Sequence, residues 1–144
     1  MQAALSLAQV AADKGDVPVG AIVVNEAGEI LGTGQNLREQ SNDPTAHAEV
    51  IAIRQAAEKI GSWRLDDLTI VVTLEPCAMC AGAIAQSRIK RLVFGAWDEK
   101  AGAVGSVLDV IRDPRALTKV EVVSGVLQHE SSELLNKFFK VKRL

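Results

Sequence analysis

Hydrophobic and polar positions follow two different periods along this chain of 144 residues. Apolar positions spaced three and four residues apart indicate helices, whereas short apolar runs rich in β-branched residues indicate buried strands. The short apolar runs predict strands at 19–24, 30–34, 68–74, 91–95 and 119–124. The helical spacing predicts helices at 3–11, 46–60, 77–87, 107–111 and 131–141. Because helices and strands alternate after an opening hairpin, we expect an α/β sandwich with a mixed sheet.

The apolar positions of three helices predict how these helices pack. In the helix 46–60 one side carries Ala46, Val50, Ile53 and Ala57. In the last helix the predicted buried stripe is Leu134, Leu135, Phe138 and Phe139. The helix 77–87 consists mostly of small residues, which let another backbone approach closely, so we expect it to lie buried against the sheet. The polar stretch 36–44 is predicted to be a loop.

Composition narrows the class of protein. The chain is 48% hydrophobic and 24% charged, which is typical of a single globular domain over 1–144 and excludes a disordered chain. No apolar run approaches the ~20 residues of a membrane span. The first ten residues lack the features of a signal peptide, so we expect a cytoplasmic protein. The net charge of −2 gives no general basic surface for nucleic acid. A local basic face is expected from Lys137, Lys140, Lys142 and Arg143.

Two cysteines carry the first chemical signal. Cys77 and Cys80 follow Pro76 at a predicted helix start and lie three residues apart, on one helix face. The helix dipole favours thiolates there, and two thiolates are half of a tetrahedral zinc site. His47 begins another helix and can supply a third ligand, whereas we expect His129 to be a surface residue. Three protein ligands leave a position for water, which is typical of a catalytic zinc site.

Glu49 adds a proton carrier to this set. Side chains two residues apart point away from each other along an ideal helix. His47 and Glu49 therefore serve one site only if they lie in the first turn, where the backbone geometry is still changing. Asp43-Pro44 just upstream is consistent with that placement. The order His-x-Glu and then Pro-Cys-x-x-Cys matches the pattern of zinc deaminases.

With these motifs the chain resembles the cytidine-deaminase-like superfamily, and within it the bacterial tRNA adenosine deaminases. The resemblance extends from the first helix almost to the C-terminus. Its longest stretches are 17–21, 43–49 and 73–83. It implies a three-layer α/β/α sandwich around a five-stranded mixed sheet, a homodimer and one Zn²⁺ per subunit. It also implies hydrolytic deamination of adenosine to inosine at the first anticodon position of tRNA.

The resemblance further implies roles for individual residues. The zinc ligands are expected to be His47, Cys77 and Cys80, with Glu49 as the proton shuttle. Asn36 is expected to hydrogen-bond the flipped-out nucleoside, and Asp98 to meet the ribose and backbone of the anticodon loop. The remaining substrate contacts implied are Ala48 through its backbone, Val17, Pro18 and Leu74 as pocket walls, and Phe139 with the basic end against the RNA loop. Trp97 departs from the family, which often has a basic residue there.

Three alternatives remain open at this point. A deaminase of a free base or nucleoside, such as guanine or cytosine, would use the same metal chemistry but would not need a basic C-terminal helix. A non-catalytic zinc-binding partner subunit would not need Glu49. A Cys77–Cys80 redox module would leave His47 and Glu49 unexplained and would bind no stoichiometric zinc.

Overall fold

The computed structural model describes residues 1–116 and 118–142. The strands are β1 (Gly20–Val24), β2 (Ile30–Gln35), β3 (Thr69–Leu74), β4 (Arg91–Ala96) and β5 (Glu121–Val123). The helices are α1 (Gln2–Asp13), α2 (Arg38–Ser41), α3 (Ala48–Ile60), α4 (Ala78–Gln86) and α5 (Gln128–Lys142). All five predicted strands are present, as are four of the five predicted helices.

The sheet is mixed and has the order β2-β1-β3-β4-β5. β1 pairs antiparallel with both β2 and β3, whereas β3, β4 and β5 run parallel to one another. Helices α1 and α5 contact each other on one face of the sheet, and α3 and α4 contact each other on the opposite face. The predicted three-layer α/β/α sandwich is therefore confirmed.

Two glycines of β2 set the position of α3. A Cβ added at Gly34 would overlap the carbonyl oxygen of Ala48, and one added at Gly32 would overlap that of Ala52. Glycine is required at both positions because the helix backbone rests directly on the strand. The N-terminus of α3, which carries the predicted His47 and Glu49, is thereby fixed above the sheet.

The buried face of α3 differs from the predicted one. The fully buried alanines are Ala48, Ala52 and Ala56. Of the predicted set Ala46, Val50, Ile53 and Ala57, Ala46 precedes the helix and is buried, and the other three are half-buried. The close approach to β2 explains the shift, because only the smallest side chains fit directly beneath the helix. α4 is buried on one side only, by Cys80, Ala81 and Ile84, whereas Ala78 and Met79 are exposed.

The predicted helix at 107–111 is wrong. The segment is a series of turns joined by a bridge between Val104 and Asp109. The amides of Val107 and Leu108 donate to the carbonyl of Gly102, and no helical bonds form in the segment. A segment of five residues, four of them apolar, is too short to offset the cost of nucleating a helix when loop partners are available.

Two further segments differ from the prediction. The polar stretch 36–44 contains the short helix α2, whose amides of Glu39 and Gln40 donate to the buried carboxylate of Asp16. α5 begins three residues earlier than predicted, and its apolar stripe is only partly buried, with Phe139 41% exposed. Within 1–116 and 118–142, no helix is both long and apolar enough to cross a membrane.

Candidate active site

The candidate site lies where two parallel strands end and two helices begin. Leu74 and Ala96 are paired at the carboxyl ends of β3 and β4. The chain leaves β3 directly into the Pro-Cys-x-x-Cys segment and leaves β4 into Trp97 and Asp98. Crevices at the carboxyl ends of parallel strands are common binding sites in α/β proteins.

The backbone at the helix starts turns the predicted residues toward one point. His47 is the N-cap of α3 with an extended backbone (φ −77°, ψ 150°), and Glu49 lies in the first turn. Cys77 is the N-cap of α4 and is also extended (φ −74°, ψ 176°). The break in helical geometry after His47 is the condition that allows His47 and Glu49 to face one site. Their predicted placement at the helix start is confirmed.

The structure brings the three predicted ligand residues together. The His47 Nδ1 atom lies 3.6 Å from Cys77 Sγ and 3.5 Å from Cys80 Sγ. All three ligand atoms lie within 4.8 Å of one another, an arrangement that can hold a metal ion. His129 lies outside this group on α5, where its exposed side chain is 3.6 Å from Glu133.

The two thiols share a hydrogen bond that shifts the pKa of each in opposite directions. A hydrogen bond with Cys80 lowers the pKa of Cys77 to about 4, and the same contact raises the pKa of Cys80 far above its ordinary value. The hydrogen bond with Cys77 also raises the pKa of His47. Metal ions bind cysteine as the thiolate, so binding of a metal by both sulfurs would release protons.

Glu49 is a buried carboxyl beside this group, with 4% of its surface exposed. Burial raises its pKa to about 7, because the charged form is poorly solvated there. Glu49 contributes no atom to the group of three ligand atoms. It lines the cleft instead, in position to contact a bound molecule.

The group opens into a wide cleft of about 1220 Å³. Sites for small molecules commonly measure about 300–1,000 Å³, so this cleft has room for more than one nucleoside. Asn36 lies in its wall with a fixed amide: Nδ2 donates to the Val17 carbonyl at 3.2 Å, and Oδ1 accepts from the Arg38 amide at 3.1 Å. One N–H and one lone pair of the Asn36 amide remain for a ligand.

Most of the predicted wall residues line the cleft, and one does not. Val17, Ala48, Leu74 and Asp98 are in the wall, as is Phe139 of α5.

The prediction that Pro18 forms part of this wall is wrong. Pro18 is buried and does not line the cleft. Val19 lines the cleft in its place. The Val19 amide donates to the Val17 carbonyl at 2.9 Å, which forms a tight turn centred on Pro18. Val17 and Val19, on either side of this turn, both line the cleft, whereas Pro18 does not.

The C-terminal helix closes one side of the cleft. Phe139 and Lys140 line it, together with Gln128 and Asn136. Lys142 lies 5.4 Å from the ring of Phe138, and the predicted contact of Arg143 falls outside the described residues.

Another cluster of basic residues, Arg88, Lys90 and Arg91, lies at the other end of β4 from the site. There Lys90 faces Glu26 at 3.6 Å, and Arg91 pairs with Glu121 at 3.0 Å.

Comparison with known proteins identifies the family. A model of the MafB19-like deaminases matches residues 1–143. The tRNA-specific adenosine deaminase of Haemophilus influenzae is 52% identical over 143 residues, which are 99% of this chain and 83% of that protein. A solved structure from work on A-to-I editing by tRNA:A34 deaminases at the wobble position of transfer RNA is 42% identical, with a TM-score of 0.90 over 94% of this chain and 97% of that one. The chain belongs to the tRNA-specific adenosine deaminase family.

A second activity occurs among the structural neighbours of this family member. The guanine deaminase of Bacillus subtilis is 34% identical, with a TM-score of 0.65 over 99% of this chain and 91% of that one. Both values are lower than those for the tRNA:A34 deaminase structure. The fold is therefore shared by deaminases of tRNA and of a free base, and the family assignment rests on the closer relatives.

The structure of this family member also shows a residue that the sequence analysis did not single out. The Glu75 carboxylate is 2% exposed and accepts hydrogen bonds from the amides of Asp98 at 2.9 Å, Val104 at 2.9 Å and Ser106 at 3.1 Å. The Ser106 hydroxyl donates to it as well. A Cβ at Gly102 would overlap this carboxylate. The sequence signal was an acidic residue between a buried strand and Pro-Cys-x-x-Cys, which alone does not reveal its partners.

Proposed function

We propose that this chain is a single-domain hydrolase that converts adenosine to inosine at the first anticodon position of tRNA. The observation that carries the proposal is the His47, Cys77 and Cys80 group with Glu49 beside it, in a chain whose full length matches tRNA-specific adenosine deaminases. The reaction consumes one water and releases one ammonia. We expect the enzyme to act in the cytoplasm.

The metal that fits the group best is Zn²⁺, one ion per subunit. Zinc–sulfur bonds of about 2.3 Å and zinc–nitrogen bonds of about 2.0–2.1 Å in a tetrahedron place sulfur and nitrogen about 3.6 Å apart. The two sulfur–nitrogen separations here are 3.6 and 3.5 Å. His47, Cys77 and Cys80 would hold the ion and leave one position open. When bound, zinc supplies Lewis-acid activation of the attacking water.

Glu49 carries the protons of the reaction. Its carboxylate takes a proton from the attacking water and delivers it to the ring nitrogen beside the amine-bearing carbon. It then assists transfer of a proton to the amine, which leaves as ammonia. A carboxyl that is buried at the site and is not a ligand suits this role, since it is free to take up and release a proton at the reacting atoms.

The wall of the cleft would bind the target nucleoside. Asn36 offers one N–H and one lone pair of an amide that is already oriented by its neighbours. Val17 and Leu74 provide apolar contacts, and Ala48 contributes backbone at the start of α3. The Asp98 carboxylate accepts from the amides of Lys100 and Ala101, so it is held in place to meet the ribose.

The cleft favours an RNA loop over a free base. It is wider than a nucleobase needs, and the cations Arg38, Lys100 and Lys140 line it together with the exposed ring of Phe139. A base must leave its stack to reach the His47, Cys77 and Cys80 group, and unstacking costs less free energy in an anticodon loop than in a duplex. Phosphate contacts would make the affinity depend on salt.

The proposal is tested with two RNA stem-loops and three free compounds. One stem-loop carries adenosine at the first anticodon position, and its matched control carries adenosine elsewhere in the loop and guanosine at that position. Inosine is measured in the RNAs, and ammonia release is measured with adenosine, guanine and cytosine. We expect inosine in the first stem-loop alone and little ammonia from the free compounds. Ammonia from guanine or cytosine without RNA editing would make this chain a free-base deaminase.

The functional unit is proposed to be a homodimer, as the family resemblance implies. The outer side of α4 is apolar and carries little side-chain bulk around Gly82: Met79 is 38% exposed, and a Cβ built on Gly82 would have no neighbour within 4 Å. Such a surface lets a second copy approach closely. Sedimentation equilibrium of the metal-loaded protein should give twice the 15.3 kDa mass of one chain. Replacement of Gly82 by a large residue, Gly82→Trp, should shift that mass toward the monomer.

A further inference from the structure

Trp97 lies in the wall of the cleft and has no part in the chemistry described above. It follows directly after β4, next to Asp98, and lines the same cleft as Glu49 and the metal group. Its side chain is 41% exposed. An exposed indole is notable in a chain with only 3% aromatic residues.

The indole is exposed, but contacts with neighbouring residues fix its orientation. Its ring packs edge-to-face on Phe94, with centroids 4.9 Å apart and an angle of 87° between the planes. Phe94 is completely buried, so this contact anchors Trp97 to the core. Gly105 lies along another edge, where an added Cβ would be 3.6 Å from Cζ3 of the indole. A ring held in this way loses little conformational freedom when a ligand binds to its free surface.

The charges near Trp97 have both signs. Asp98 and Glu99 follow it in the chain, and the Arg112 guanidinium lies beside the same glycine as the indole, with Nη2 2.8 Å from a Cβ added at Gly105. The indole itself is uncharged, as is the face of a nucleobase. Stacking of a base on an aromatic side chain contributes about 1–3 kcal/mol and tolerates any base, because every base has a π-face.

We propose that Trp97 is a stacking platform for an unpaired nucleobase that flanks the target adenosine. This inference rests on the proposed function, because it requires an RNA loop in the cleft. Trp97 would strengthen binding without adding charge and would accept any base at the stacked position. The affinity contributed by this stacking would not depend on the salt concentration, whereas the affinity contributed by contacts between the cations of the cleft and phosphate would.

The test measures binding of labelled stem-loops by metal-loaded protein that carries Glu49→Gln, so that no turnover occurs. Trp97→Ala should weaken binding roughly 5- to 150-fold, the range that corresponds to loss of one stacked base. Trp97→Phe should retain most of the affinity. The slope of log affinity against log salt should be unchanged in Trp97→Ala and steeper by about 0.7 in Trp97→Arg, which adds one cation. Trp63→Ala is the matched control: Trp63 is 61% exposed but does not line the cleft, and affinity should not change.

Stem-loops with one abasic nucleotide identify the stacked base. The loss caused by Trp97→Ala should disappear for one abasic position and persist for the others. The inference is overturned if Trp97→Ala binds as tightly as its parent, if no abasic position couples to it, or if the loss follows a change in subunit association measured by sedimentation. Wild-type protein that neither binds nor edits the intact stem-loop would overturn the proposed function itself. Wild-type editing with no Trp97 effect would overturn the inference alone.

Discussion

Replacement of Glu75 tests how the wall of the cleft is held in place. The buried carboxylate joins the segment before Cys77 to the loop that carries Asp98, through three backbone amides and the Ser106 hydroxyl. Glu75→Gln keeps the size of the side chain but replaces one acceptor oxygen by an NH₂ group. In either orientation of the new amide, one or two of the backbone N–H groups lose their acceptor.

The expected cost follows from that count. A buried donor without an acceptor costs about 1–3 kcal/mol, so the loss of one or two acceptors in Glu75→Gln should lower the free energy of unfolding by about 1–6 kcal/mol. This is a large part of the 5–15 kcal/mol that is typical of a domain. With a urea m-value of about 2 kcal/mol/M, the unfolding midpoint should fall by about 0.5–3 M. Because the Asp98 amide is one of the donors, we also expect a higher KM for the stem-loop.

The control is Glu121→Gln, which removes a charge from an exposed pair. Glu121 lies 3.0 Å from Arg91, and its side chain is 56% exposed. Exposed ion pairs contribute little, so this change should stay within about 0.5 kcal/mol of wild type. Equal urea midpoints for the two variants would refute the argument that the Glu75 carboxylate holds the wall.

Three further predictions address the metal group, the proton carrier and the α2 segment. Glu49→Gln should keep the metal and the unfolding midpoint but reduce turnover at least 10²-fold, measured as inosine formed per bound metal; retained activity would exclude Glu49 as the carrier. Cys77→Ser should lose the metal, measured by elemental analysis after dialysis, and full occupancy would contradict the ligand set. Burial favours a raised pKa for Asp16, but its hydrogen bonds with Glu39 and Gln40 prevail and hold the pKa below its ordinary value. The folded pKa is thus below the unfolded value of about 3.9, so the stabilisation is complete above that pH and is lost as pH falls through the folded pKa. Asp16→Asn should therefore lower the urea midpoint at pH 7 and differ less from wild type below pH 4, and a difference that does not change with pH would contradict this reasoning.

Local sequence signals are sufficient to locate the strands and to predict which helix starts carry His47 and Cys77. Apolar runs predict all five strands. For β1 and β3 such a run is sufficient, because both strands are buried along almost their whole length and show no polar alternation. Pro44, Pro76 and the spacing of apolar residues predict that His47 and Cys77 lie at helix starts. Both are the N-caps of their helices.

Tertiary contacts decided the features that the sequence did not reveal. The buried face of α3 depends on Gly34 and Gly32 of a strand that is distant along the chain, and helical periodicity alone does not register that contact. The segment 107–111 has an apolar pattern, but Gly102 supplies its hydrogen bonds and prevents a helix. The partners of Glu75 lie 23 to 31 residues away, so no motif predicts them.

The His47, Cys77 and Cys80 group and Glu49 are together proposed to deaminate adenosine in an anticodon loop. The most direct measurement is the time course of inosine at the first anticodon position of a stem-loop, with wild type and Glu49→Gln at equal metal content. We predict inosine that accumulates with wild type to one per RNA and stays near background with Glu49→Gln. No inosine with metal-loaded wild type, or equal rates for the two proteins, would contradict the account.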